Sequence, residues 1–186
     1  PSSVCCIEVY MKKIAVILCG CGYRDGSEIR ESVGVLWALS SHNVDVQCFA
    51  PDAPQNDVVN CLTDKVMEKE ARNMLVEAAR IARGQISSLS VLEEKHFDSI
   101  VLPGGFGAAK NLCNFATKGS QGSVIPELQQ ALQAFHQAKK FIGAVCIAPA
   151  IVGLALKGKG IELTVGPPSE AAEEIEKMGH RHIVCR

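Results

Sequence analysis

Residues 13–50 read KIAVILCGCGYRDGSEIRESVGVLWALSSHNVDVQCFA, and this stretch decides the fold class. Lys13 to Cys19 is a continuous apolar run, the pattern of a strand buried on both faces. It breaks into a glycine-rich turn, GCGYRDGSE. Glu28 to Ser41 then carries Ile29, Val33, Leu36, Trp37 and Leu39 close to a helical period. Val44 to Ala50 is a second strand, stopped by Pro51. Strand, helix and strand in this spacing imply a parallel pair joined by a crossover.

The pattern continues downstream. A short strand is expected near Val58 and Val59, and a helix from Ala71 to Arg83 closed by Gly84. Ser99 to Leu102 is a third strand, Pro126 to Lys139 a helix with proline in its first turn, and Phe141 to Val145 a fourth strand. A helix over 147–156, a strand from Ile161 to Val165, a helix over 169–178 and a strand from His182 to Cys185 complete the reading. Strands alternating with helices predict an α/β fold, a three-layer sandwich on a mostly parallel sheet. Residues 12–186 are read as one domain and residues 1–11 as an N-terminal extension or arm.

Composition sets the outer limits. The chain has 186 residues, 19 basic against 20 acidic, and a net charge of −1, which offers no electrostatic footprint for nucleic acid or an anionic membrane. No apolar run approaches the ~18 residues that read as a transmembrane helix. Nine cysteines is a high count, yet no C-x-x-C pair or Cys/His cluster has zinc spacing, so no metal is expected. Free thiols in a reducing compartment are the simpler reading. The opening PSSVCCIEVYMKK has no arginine and no basic segment before its apolar part, a poor secretory or transit signal. That favours the cytoplasm, with the mitochondrion as the alternative for an animal chain whose transit peptide has been removed.

In open parallel sheets, sites form outside the carboxyl ends of the strands. Three loops fall there: 20–28, 103–111 and 146–149. In FIGAVCIAPAI (residues 141–151), Cys146 stands where strand becomes helix. It is either a small core residue or a nucleophile on a sharp turn. The N–H groups and dipole of a helix N-terminus would lower a thiol pKa from about 8.5 into the range ~3.5–7.5. PGGFGAAKN (103–111) puts Gly104 and Gly105 directly after a strand, where they either make a tight turn or let backbone approach a ligand. In the second case the Gly105 and Ile147 N–H groups form an oxyanion hole. Glu28, at the start of the first helix, is either a dipole-stabilised carboxylate or a proton shuttle for Cys146. Tyr23, Arg24, Asp25 and Arg30 flank it, and Lys110 and Asn111 close the second loop, as candidate pocket residues. The five histidines read as surface residues.

The blocks GCGYRDGSEIRE, EARNMLVEAARIARG, PGGFGAAKNL and AVCIAPA, in this order, resemble the ElbB group of the DJ/PfpI, class I glutamine amidotransferase-like superfamily. That group includes bacterial "enhancing lycopene biosynthesis" proteins and mitochondrial relatives in animals. The resemblance runs from about Lys12 to the C-terminus. It implies a flavodoxin-like sandwich, a homodimer, a nucleophilic Cys146 with Glu28 as its carboxylate, and Gly105 and Ile147 as backbone donors. It also implies glyoxalase or deglycase chemistry on small 2-oxoaldehydes, without a cofactor. Better-known superfamily members have histidine directly after the cysteine; Ile147 stands there in this chain, so a Cys-His-Glu glutaminase triad is not expected. A redox sensor built on the same thiol, or an amidotransferase-like subunit, are the alternatives. Relatives continue past the position of Arg186 with a further strand and helix. The sheet is therefore expected to lack its C-terminal strand and cover.

Overall fold

The computed structural model describes residues 11–185; the arm read over residues 1–11 lies almost wholly outside them. Strand β1 (Lys12–Ile17) is followed by helix α1 (Ile29–Ser40) and strand β2 (Val44–Ala50). β1 and β2 pair in parallel, Lys12 opposite Val44 through Ile17 opposite Phe49. A small antiparallel hairpin follows, β3 (Val59–Asn60) and β4 (Lys65–Val66). Helix α2 (Met74–Ile81) then begins, three residues later than its apolar pattern suggests, because Asn73 caps it by accepting from the Val76 N–H. Strand β5 (Ile86–Ser88) adds to β2 in parallel.

The chain then crosses to the other side of β1. Strand β6 (Ser99–Leu102) pairs with β1, and after α3 (Ala108–Asn111), α4 (Phe115–Lys118) and α5 (Pro126–Gln137), strand β7 (Phe141–Ala144) pairs with β6. The central sheet is five-stranded, in the order β5-β2-β1-β6-β7, and every pairing in it is parallel. Helix α6 (Ala148–Ala155) leaves β7 through Cys146, and all eight of its residues are buried. Beyond it, β8 (Glu162–Leu163), α7 (Glu170–Lys177) and β9 (Arg181–His182) form a small unit. The two last strands pair with each other in parallel and not with the central sheet.

Alternation along β1 divides the core. Ala15, Ile17 and Cys19 face a large cluster with Leu128, Leu132, Phe135 and Ile151 of α5 and α6. Val16 and Leu18 face a smaller one with Val35, Leu36 and Leu39 of α1 and Leu75 and Ala78 of α2. Helices thus cover both faces, which is the three-layer arrangement. Among the described residues β7 is an edge strand, and Phe141 at its start is 84% exposed.

The order in which strands are added reverses at β1: β2 and β5 lie on one side, β6 and β7 on the other. Loops at the carboxyl ends of β1, β6 and β7 therefore converge on one crevice, the place where open parallel sheets form sites.

Candidate functional site

Cys146 sits between β7 and α6 with φ +57°, the left-handed region that side chains rarely adopt. Its backbone is bent so that one residue turns the chain from strand into helix. The residue is exposed to solvent at the crevice mouth.

Two neighbours hold it there. Gly104 has no room for a side chain: a Cβ would stand 2.6 Å from the Val145 carbonyl oxygen and 2.8 Å from both Cys146 Cβ and Glu31 Oε2. Gly105 has φ +110°, and a Cβ on it would meet the Glu28 nitrogen at 2.6 Å. The two glycines thus serve both readings, close approach and positive φ. They bring β6's loop against Cys146 on one side and against the start of α1 on the other. The Glu28 N–H donates to the Gly104 carbonyl at 3.0 Å and fixes that contact.

The carboxylate that reaches the thiol is Glu31, not Glu28. Glu28 is the N-cap of α1, and its side chain accepts from the Glu31 N–H at 2.7 Å. Side chains of a helix's first turn lean toward its N-terminus. Glu31 therefore projects past the cap, where its Oε2 accepts from the Gly104 N–H at 2.8 Å and its carboxyl lies beside Cys146 and acts on its thiol. Glu28 positions the residue that makes the contact.

The thiol is also not acidified as a bare helix N-terminus would suggest. Partial desolvation of the sulfur by the surrounding loops pushes the Cys146 pKa up, and neighbouring Glu31 pushes it further; the Ile147 and Gly105 N–H groups pull it down without reversing the shift. Glu31 and the Ile147 and Gly105 N–H groups are thus the groups that act on the sulfur. Cys19, Cys48 and Cys113 are buried thiols, pushed up to about 12, 11 and 11 by desolvation. All cysteines of the described residues are free.

Of the other candidates, Asp25 and Asn111 are internal staples. Asp25 is buried and accepts from the Val59 N–H at 2.8 Å. Asn111 donates to the carbonyls of Cys19 and Asp25 and accepts from the Asn56 N–H. Arg24 pairs with Asp64 at the turn of the β3–β4 hairpin and lies 5.7 Å from the ring centres of Tyr23 and Phe106. Lys110 pairs with Asp57 at 2.8 Å and approaches the same Phe106 ring. These residues tie the hairpin to the crevice rim, where Arg24 and Lys110 line a cleft of about 240 Å³. Arg30 is exposed on α1.

A larger cleft of about 380 Å³ opens beside the cysteine between α4 and α7, with Phe106, Phe115, Ile147 and Glu174 among its lining residues. No sequence signal pointed to it, because its walls come from segments far apart in the chain. His180 is buried, its Nε2 2.8 Å from the Gly153 carbonyl oxygen, and its Nδ1 has no partner. The His182 ring accepts from the Val165 N–H. Neither histidine is among the groups acting on Cys146. Among the described residues, no group of three or more His, Cys, Asp or Glu side chains is placed to hold a metal, and no helix is long and apolar enough to cross a membrane.

No family model matches the chain. Individual relatives do. A human mitochondrial protein described as glutamine amidotransferase-like class 1 domain-containing protein 3 is 43% identical over 181 residues, covering 92% of this chain and 67% of the relative. The structure of an isoprenoid biosynthesis protein with an amidotransferase-like domain from Ehrlichia chaffeensis is 44% identical, with a TM-score of 0.85 over 93% of this chain and 79% of the other. Glyoxalase III from Candida albicans superposes with a TM-score of 0.56 at 14% identity, over 93% and 82% of the two chains, a likeness of fold alone.

Proposed function

Because the chain belongs to the class 1 glutamine amidotransferase-like family, in the ElbB group of the DJ/PfpI superfamily, we propose that it is a cysteine-dependent enzyme of the glyoxalase and deglycase type. Its substrates would be small 2-oxoaldehydes such as glyoxal and methylglyoxal. The observation that carries the reading is the Glu31–Cys146 contact, set against the two N–H groups of Gly105 and Ile147.

As the sulfur bonds to the aldehyde carbon, Glu31 takes the thiol proton and passes it to the carbonyl oxygen. That oxygen becomes the hydroxyl of a hemithioacetal, Glu31 is a carboxylate again, and the Gly105 and Ile147 N–H groups stabilise the charge as it develops. Glu31 next removes the proton from that carbon and, through an enediol, a proton returns to the neighbouring carbonyl carbon. One carbon is oxidised as its neighbour is reduced, so no external redox partner enters the balance. The product is a thioester on Cys146, and water releases it as the 2-hydroxy acid and restores the thiol. A base next to a neutral thiol suits this sequence, since the same carboxylate serves each transfer.

An amidotransferase triad lacks its histidine beside Cys146. A redox sensor built on a preformed thiolate is disfavoured by the raised thiol pKa. The exposed apolar stripe of Ile29, Val33 and Trp37 on α1 supports a homodimer, the last 74% exposed. The mitochondrial description of the human relative supports that organelle as this chain's address.

The test is methylglyoxal turnover, read as lactate formed, in the parent and in Cys146→Ser. Turnover in the parent that disappears in the variant is expected. No lactate from the parent, or equal lactate from both, would overturn the reading.

A further inference from the structure

The 380 Å³ cleft is large for a small oxoaldehyde. Pockets that hold compact organic ligands run from ~300 to 1,000 Å³, so this one has space for much more than a methyl group. Its position matters as much as its size. Phe106 and Ile147 both line it. Phe106 directly follows Gly105, and Ile147 itself supplies one of the two N–H groups that act on the Cys146 sulfur. The cleft therefore begins one residue along the chain from Gly105 and from Cys146, the two positions whose loops meet at the sulfur.

The walls are mixed: Phe106, Phe115, Ala116, Ile147 and Ala171 are apolar, and Thr117, Lys118, Glu170 and Glu174 also line the cleft. Phe106, Phe115, Ala116 and Ala171 come from three different elements and meet across the opening. Glu174 also reaches the cleft, but its charge is already taken up. Its carboxylate is held down to about 2 by Lys177 first and then by Ser120, whose N–H it accepts. Glu170 and Lys118 add one charge of each sign to the lining.

Resting on the reading of Cys146 as the nucleophile, we propose that the cleft receives an uncharged apolar arm of the electrophile that the cysteine attacks. The substrate class is then a 2-oxoaldehyde bearing an aryl or branched alkyl group. The aldehyde carbon bonds to sulfur, the arm lies between α4 and α7, and the steps balance as for the small aldehydes. The product is the arm-bearing 2-hydroxy acid.

Two assays separate this inference from the enzymatic reading. The first is site-resolved alkylation of Cys146 by iodoacetamide and by N-benzyl-2-iodoacetamide, each rate divided by that of a free thiol. The second is kcat/KM for methylglyoxal and phenylglyoxal. Both are run on the parent and on two cleft-filling variants from opposite walls, Ala116→Trp and Ala171→Leu, with circular dichroism to check their folding. A single methylene in an apolar pocket discriminates by ~10–200-fold. The benzyl reagent and phenylglyoxal are thus expected to lead by at least about tenfold in the parent, with the lead lost in the variants.

A parent ratio at or below one in the alkylation assay, or a lead that neither filling variant reduces, would overturn the inference. Methylglyoxal turnover without any preference for the arm would sink the inference and leave the enzymatic reading intact. A benzyl preference that the variants abolish, with neither aldehyde turned over, would uphold the cleft and remove the glyoxalase reading.

Discussion

Replacing Glu31 by glutamine should move two properties of Cys146 in opposite directions. Glutamine keeps an oxygen that can accept from the Gly104 N–H, now at 2.8 Å from Glu31 Oε2. It removes the negative charge and, with it, the acceptor of the thiol proton. Glu31 raises the thiol pKa, so the variant thiol ionises at lower pH and its alkylation profile shifts toward acid. Turnover goes the other way, because the thiolate has lost its proton shuttle. Removing a positioned acid–base group costs ~10²–10⁴ in rate, or ~2.7–5.5 kcal/mol at 1.36 kcal/mol per decade. Stability should change little. Hydrogen bonds to charged partners exceed neutral ones by about 1 kcal/mol, which in a chain of this size lowers Tm by ~2–4 °C. Glu28→Gln is the control, since Glu28 acts through the helix cap; its loss in turnover should stay below about tenfold, the cap itself being worth ~1 kcal/mol. The assay pairs pH-dependent alkylation, resolved at Cys146 by mass spectrometry, with lactate production. An alkylation profile that moves to higher pH in Glu31→Gln, or turnover that survives there and vanishes in Glu28→Gln, would refute the reasoning.

Two further outcomes follow from other parts of the molecule. Glu174 has a folded-state pKa of about 2, depressed from 4.5 by Lys177 and Ser120. Its contribution to stability is complete above the unfolded pKa and is lost as pH falls from about 4.5 toward about 2. Tm measured across that window should fall less steeply in Glu174→Gln than in the parent, and identical slopes would show that the contact does not stabilise α7. Trp37→Glu, on the exposed stripe of α1, should convert a dimer to a monomer by light scattering. A parent that is already monomeric at micromolar concentration would count against the dimer, and a variant that remains dimeric would count against this face.

Strands 44–50 and 99–102 were delimited to the residue, the first by the alternation Val-Asp-Val-Gln and the stop at Pro51, the second by a short apolar run that ends in Pro-Gly-Gly. β5 was missed because Ile-Ser-Ser is too short and polar to carry a period. The segments around 161–165 and 182–185 read as longer strands, whereas β8 and β9 are two residues each and pair only with one another. At the site, a cysteine between strand and helix and two glycines after a strand were legible as local chemistry. The choice between Glu28 and Glu31 was not. Both lie in SEIRE, and the difference arises from the cap, which turns the side chain three residues later back over the loop. Asp25 and Asn111 misled for a related reason: polar residues in a site loop can bind the loop to itself, and only their partners reveal it.

The left-handed backbone of Cys146 gives that position an unusual standing in any survey of variants. For a residue with a Cβ, this conformation costs ~1–2 kcal/mol that glycine avoids. The chain carries a residue there that its own folding would trade away. Cellular abundance follows folding stability, so a screen that scores abundance would pass Cys146→Gly as harmless or even beneficial. Only a screen that reads chemistry at the sulfur would register what had been removed.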